Sequence, residues 1–150
     1  MRALSVSLLA VLVSALPAAA QSLAFRDAGG ARHVCGGVGA EERDALQALR
    51  RPGQLELLFA SAKRGAFLAG IDVEISRAGS PPIRFRADGP TCLVEMGPGA
   101  LQVRARSGSV ERSRSVQLGN KGVKVTMTFP DEPWDGIRAT EEEKRQARER

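Results

Sequence analysis

The chain has 150 residues, 43% of them hydrophobic, and carries 22 Lys and Arg against 17 Asp and Glu for a formal charge of +5. One His and no Tyr leave a metal cluster or a His-based active site almost nothing to be built from. Six aromatic residues in all, five Phe and one Trp, leave a nucleic-acid groove without its stacking platforms.

Met1 and Arg2 give a short basic start, Leu4 to Leu16 an apolar run, and Ala18-Ala19-Ala20 a small-residue cleavage site. That order is the pattern of a secretory signal peptide, and the run is too short to span a bilayer as a helix. Residues 1–20 are expected to be removed, which leaves 150 − 20 = 130 residues, enough for one domain. No later stretch reaches membrane length and no cysteine stands just after the cut, so neither a transmembrane nor a lipid anchor is expected. The expectation is a periplasmic or secreted protein.

Residues 21–54 read as a leader and a short helix. Gln21 to Arg32, with Gly29-Gly30 inside it, is expected to be loosely held, and Cys35 to Gly39 to form a glycine-rich turn. Ala40 to Leu49 is the helix. Glu41 and Glu42 suit its positive N-terminal end, Arg50 and Arg51 its negative C-terminal end. Val38, Ala45, Leu46 and Leu49 make a narrow apolar stripe, and Pro52-Gly53 stops the helix.

From Leu55 the period becomes two. Leu55, Leu57 and Phe59 alternate with Glu56, Leu58 and Ala60; Ile71, Val73 and Ile75 alternate with Asp72, Glu74 and Ser76. Ile83 and Phe85 follow, then Cys92, Val94 and Met96, then Leu101, Val103 and Ala105. A weaker run spans Val110 to Leu118, and Val123, Val125, Met127 and Phe129 form the last. Gly79-Ser80-Pro81-Pro82, Asp88-Gly89-Pro90 and Gly97-Pro98-Gly99 supply turns between them. Seven short strands with turn chemistry at each end predict an all-β, seven-stranded antiparallel sandwich over residues 55–130. No helical pattern lies between the strands to serve as a parallel crossover. The helix is expected to cover an open end or edge of this sandwich. Residues 131–150 form a charged C-terminal tail.

Cys35 and Cys92 both lie in the mature chain. In an oxidising compartment the default is one disulfide between them. Two free thiols or half of a metal site are the alternatives, and there is no Cys-x-x-Cys spacing.

The order of pieces from Gly65 to Phe129 resembles the carboxypeptidase regulatory-like domain, a transthyretin-like (prealbumin-type) sandwich. The pieces are Gly65-Ala66-Phe67-Leu68, Ile71-Asp72-Val73-Glu74-Ile75, Ala87-Asp88-Gly89, Cys92 to Met96, Gly97-Pro98-Gly99-Ala100-Leu101-Gln102-Val103 and Val123-Lys124-Val125. One departure is Leu101, where that family usually places an aromatic residue. The resemblance implies an accessory or interaction module, and related starch-binding-like sandwiches bind carbohydrate. Hydroxyisourate hydrolases share the fold, but their several histidines and Tyr-Arg-Gly-Ser terminus are missing here.

Arginine outnumbers lysine 18 to 4. Arg84, Arg86, Arg104, Arg106, Arg112 and Arg114 stand at alternate positions on three strands. If the apolar partners of the first four point inward, Arg84, Arg86, Arg104 and Arg106 must point outward. Guanidinium groups there suit bidentate contact with phosphate or carboxylate. Neutralisation by Asp72, Glu74 and Glu95 would instead leave an ordinary solvated face. Trp134 is the candidate for stacking on a sugar, or else it packs over the sandwich edge. His33 beside Cys35 suggests a nucleophile–base pair only if the thiol is free. Gly36, Gly37 and Gly39 ahead of a helix resemble an anion-binding loop but lack the Gly-Lys-Ser/Thr element. Asp131, Glu132 and Asp135 are too irregular for a calcium loop.

No cofactor, metal or nucleic-acid partner is expected. The sequence points to a non-enzymatic exported module that contacts an envelope protein, an anionic lipid or a polysaccharide. A carbohydrate-binding sandwich is the alternative.

Overall fold

A computed structural model describes residues 23–131. The expected signal peptide, Trp134 and all of the charged tail but Asp131 lie outside the described residues. The order of elements is β1 (Arg26–Ala28), β2 (Ala31–Gly36), α1 (Ala40–Leu49), β3 (Leu55–Ser61), β4 (Ile71–Ser76), β5 (Ile83–Ala87), β6 (Thr91–Glu95), β7 (Gly99–Ser107), β8 (Val110–Leu118) and β9 (Val123–Phe129). Each of the seven alternating runs forms a strand, and the helix has the bounds its pattern predicts.

The strands make two sheets, β1-β2-β6-β3-β9 and β5-β4-β7-β8. The period-two patterns explain why these sheets share a core. Leu55, Leu57 and Phe59 of the first meet Ile71, Val73, Ile75, Leu101 and Val103 of the second in one buried cluster. Burying such side chains contributes roughly 1.5–3 kcal/mol each before entropy is counted. The intervening polar residues are left on the outer faces.

Three expectations are corrected. There are nine strands among the described residues, not seven, because the leader folds into β1 and β2. Gly29 and Gly30 both take positive φ (57° and 98°) and join Ala28 to its partner Ala31, a two-residue hairpin turn. The sheets are also not wholly antiparallel, since β9 runs parallel to β3, with Leu55 opposite Val123 and Ser61 opposite Phe129. A parallel pair needs a long crossover, and here the chain makes it through β4 to β8 rather than through a helix. Finally, α1 covers neither an end nor an edge. Its Leu46 is buried with Val34 of β2 and Leu93 of β6, and Leu49, Leu23 and Phe25 pack around them, so the helix lies on the outer face of the first sheet. Val38, which the stripe included, stays 68% exposed.

Candidate functional site

The outer face of the second sheet is organised by its register. Glu74 on β4 stands opposite Arg84 on β5 and Arg104 on β7; one pleat along, Asp72 stands opposite Arg86 and Arg106. Directly opposed residues share a face, so the four expected arginines do project together. They are not adjacent, however, because β4 runs between their strands and carries the carboxylates. Arg84 Nε lies 2.7 Å from Glu74 Oε2, and Arg104 Nη1 lies 3.2 Å from Glu74 Oε1. Arg86 Nη1 reaches Asp72 Oδ1 at 2.9 Å, Arg106 Nη2 reaches Asp72 Oδ2 at 3.5 Å, and Arg104 Nε reaches Glu111 on β8 at 3.2 Å. Four guanidinium groups against three carboxylates leave this face one positive charge in excess. The four arginine side chains remain 47–69% exposed. Spare N–H donors therefore face solvent over a shallow groove of about 490 Å³.

Arg112 and Arg114 do not join them. They stand opposite Ala105 and Val103, on the inner side of the sheet at its edge strand. From there Arg112 Nε donates to the Thr128 carbonyl of β9 at 3.3 Å, bridging the two sheet edges. Glu95 belongs elsewhere too. It sits on the first sheet opposite Arg32, accepting hydrogen bonds from Arg32 and, at 3.2 Å, from Gln54 Nε2. Burial pushes its carboxyl up, but those bonds and the Arg32 and Arg51 charges hold it below the usual carboxylate range.

The disulfide is present between Cys35 on β2 and Cys92 on β6, directly paired residues of neighbouring strands. Neither sulfur is a free nucleophile. The glycine loop ahead of α1 has an anion already: Glu42 Oε2 accepts from the Gly37 and Val38 amides at 3.0 and 3.1 Å. These loop amides are thus satisfied from within the chain, by a carboxylate of the helix's own first turn. No group of three or more His, Cys, Asp or Glu side chains is placed to hold a metal ion among the described residues. No helix there is long and apolar enough to cross a membrane.

Sequence reasoning missed a cleft. Where β2 of one sheet overhangs β5 of the other, a cavity of about 230 Å³ is lined by His33, Cys35, Arg26, Arg86, Asp88 and Glu42, among others. His33 is buried and stacks on Phe85 with ring centroids 4.1 Å apart. Its Nδ1 is buried without a hydrogen-bond partner. The legible signal was the Gly29-Gly30 pair; reading it as a hairpin turn puts His33 opposite Arg26.

Burial, reinforced by the Arg26 charge, lowers the pKa of His33. In the unfolded chain the ring titrates near 6.5. A folded pKa below that value means the unfolded state binds the proton first, so stability is full above about pH 6.5 and is lost as the pH falls through the folded value. The urea midpoint is expected to hold between pH 8 and 7 and to drop towards pH 5, and His33→Gln should flatten that slope. An equal slope in the variant would assign it to the carboxylates.

No family model, curated protein or solved structure matches the chain.

Proposed function

We propose that this protein is a non-enzymatic, exported interaction module that docks a partner protein of the cell envelope on the outer face of its second sheet. The observation that carries the reading is the ladder of four exposed arginines around Asp72 and Glu74. Charges of both signs at fixed strand positions give specificity and register against a surface with the complementary pattern. A uniformly anionic lipid or polysaccharide would be opposed by the three interspersed carboxylates. The rigid strands that carry the ladder also keep the ordering cost of docking low. An oxidising compartment outside the cytoplasm agrees with the Cys35–Cys92 bond. The order of strands and turns supports a prealbumin-like, carboxypeptidase regulatory-like module, a family of accessory domains.

The test pairs capture with a surface variant. Wild-type mature protein and Arg84→Gln/Arg104→Gln are immobilised without reductant and exposed to envelope extract over a range of salt. A partner retained by wild type, released as salt rises and lost from the variant supports the reading. Exposed ion pairs are worth about 0.2–1 kcal/mol, so the variant should unfold within about 2 kcal/mol of wild type. Anionic liposomes provide the second arm. Retention there, with no protein lost on mutation, transfers the face to lipid and overturns a protein partner.

A further inference from the structure

A second charged site lies on the other sheet, away from the arginine ladder. Where the end of α1 meets β3 and β9, a hollow of about 230 Å³ is lined by Arg50, Arg51, Lys121 and Lys124, with Glu56 its only acidic residue. Glu56 serves two of the four, Arg50 Nη2 at 2.7 Å and Lys124 Nζ at 3.5 Å. Arg51 and Lys121 are exposed and form no ion pair among the described residues. Glu95, beside Arg51 in the adjoining hollow, is already paired with Arg32. Four cations against one carboxylate leave an excess of three positive charges, where the ladder leaves one. The C-terminal end of α1 offsets roughly half a charge of that excess.

These cations stand on one fixed frame. The buried Gln54 side chain accepts from the Arg51 amide at 2.9 Å and donates to the Leu49 carbonyl at 3.1 Å, which holds the loop after α1. The Gln54 carbonyl accepts from the Val123 amide at 3.1 Å, which fastens the turn that carries Lys121. The two loops touch, since a Cβ added at Gly122 would meet that carbonyl oxygen at 2.5 Å. Like charges so held repel one another, and an anion brought between them relieves the repulsion. Guanidinium takes phosphate bidentately and ammonium takes it as a point charge. An excess of three charges calls for a ligand with more than one negative charge. The volume, below the ~300–1,000 Å³ of sites for drug-sized ligands, calls for a small one. We propose that this hollow binds a small anion of the phosphate class, a phosphate monoester or diphosphate, held between Arg51 and Lys121 with Lys124 as the third cation.

Inorganic diphosphate titrated into the protein is the probe, followed by calorimetry. Saturable binding that weakens as salt rises is expected. Arg51→Gln/Lys121→Gln, a change at two exposed side chains, should weaken it about tenfold or more. The same variant should unfold no more easily than wild type, because it relieves repulsion. Glu56→Gln removes the one competing carboxylate and should tighten diphosphate about fivefold; it carries the test should the double variant fail to fold. Arg84→Gln/Arg104→Gln should leave the affinity as it is, so this site and the docking face fail separately. Neutral vesicles carrying phosphatidic acid identify the source of the phosphate. Retention that diphosphate displaces and Arg51→Gln/Lys121→Gln abolishes gives a lipid headgroup, and no retention gives a soluble anion. No saturable binding, weaker binding in Glu56→Gln, or an equal loss in the ladder variant overturns the proposal. Unchanged affinity in Arg51→Gln/Lys121→Gln does so too, and with lowered stability it would leave Arg51 only a cap on the end of α1.

Discussion

Reducing the Cys35–Cys92 bond is expected to lower the stability of the protein by about 4 kcal/mol and its Tm by roughly 15–30 °C. The bond joins residues 57 apart in sequence. The closed loop holds α1, β3, β4 and β5, so the unfolded chain loses much of its freedom when the bond is intact. In the folded protein the same two residues are already partners in the β2–β6 ladder. Breaking the bond therefore leaves the native pairing in place and acts mainly by releasing the unfolded chain. Urea unfolding with and without reductant measures the difference, and Cys35→Ala/Cys92→Ala gives the same comparison without reductant. A shift under about 1 kcal/mol would mean that the unfolded chain is already confined in this loop by other structure.

Gly89→Ala should cost about 2–3 kcal/mol, in the upper part of the range for overpacking. A Cβ at that position would fall 2.4 Å from the Gly36 carbonyl oxygen and 2.5 Å from Gly36 Cα. Those atoms are backbone and belong to the strand that carries Cys35, so no side chain can swing aside to relieve the contact. Gly119→Ala is the control: nothing lies within 4 Å of its Cβ, and removing freedom from the unfolded chain should leave it neutral or stabilised by about 0.4–1 kcal/mol. Denaturant midpoints of the two variants decide the matter. Equal midpoints would deny the close approach of the Asp88-Gly89-Pro90 turn to the end of β2.

Much of the fold was legible because strand and helix periods differ and the chain keeps to one at a time. Ile71, Val73 and Ile75 are buried as their alternation predicts, and α1 ends before Pro52-Gly53. The disulfide was legible from two cysteines and a signal-like start. What escaped was non-local. Arg26 to Ala28 is too short for periodicity to show, and in Ala31–Gly36 the run Ala31, His33, Val34, Gly36 is buried without clean alternation, because α1 covers the other face. The parallel partnership of β3 and β9 joins segments more than sixty residues apart, which no local pattern encodes. The arginine face was half legible. Strand parity put four guanidiniums outward, but only the sheet order shows that Asp72 and Glu74 stand between them.

The parallel pair bears on how the chain folds. β3, with Leu55, Leu57 and Phe59, is the most apolar strand of its sheet, and its neighbours are β6 on one side and β9 on the other. Chain order makes β9 the last strand to appear. Until it does, one side of β3 is an unpaired apolar edge, open to any other strand in the vicinity. Both cysteines have emerged well before that moment, so oxidation can lock β2 to β6 while β3 still lacks its partner on the other side. Docking β9 across so long a separation is the slow kind of step in β folding. For a chain delivered from one end, the covalent bond comes early and the hydrogen-bonded closure late, and the interval between them is when self-association is most favoured.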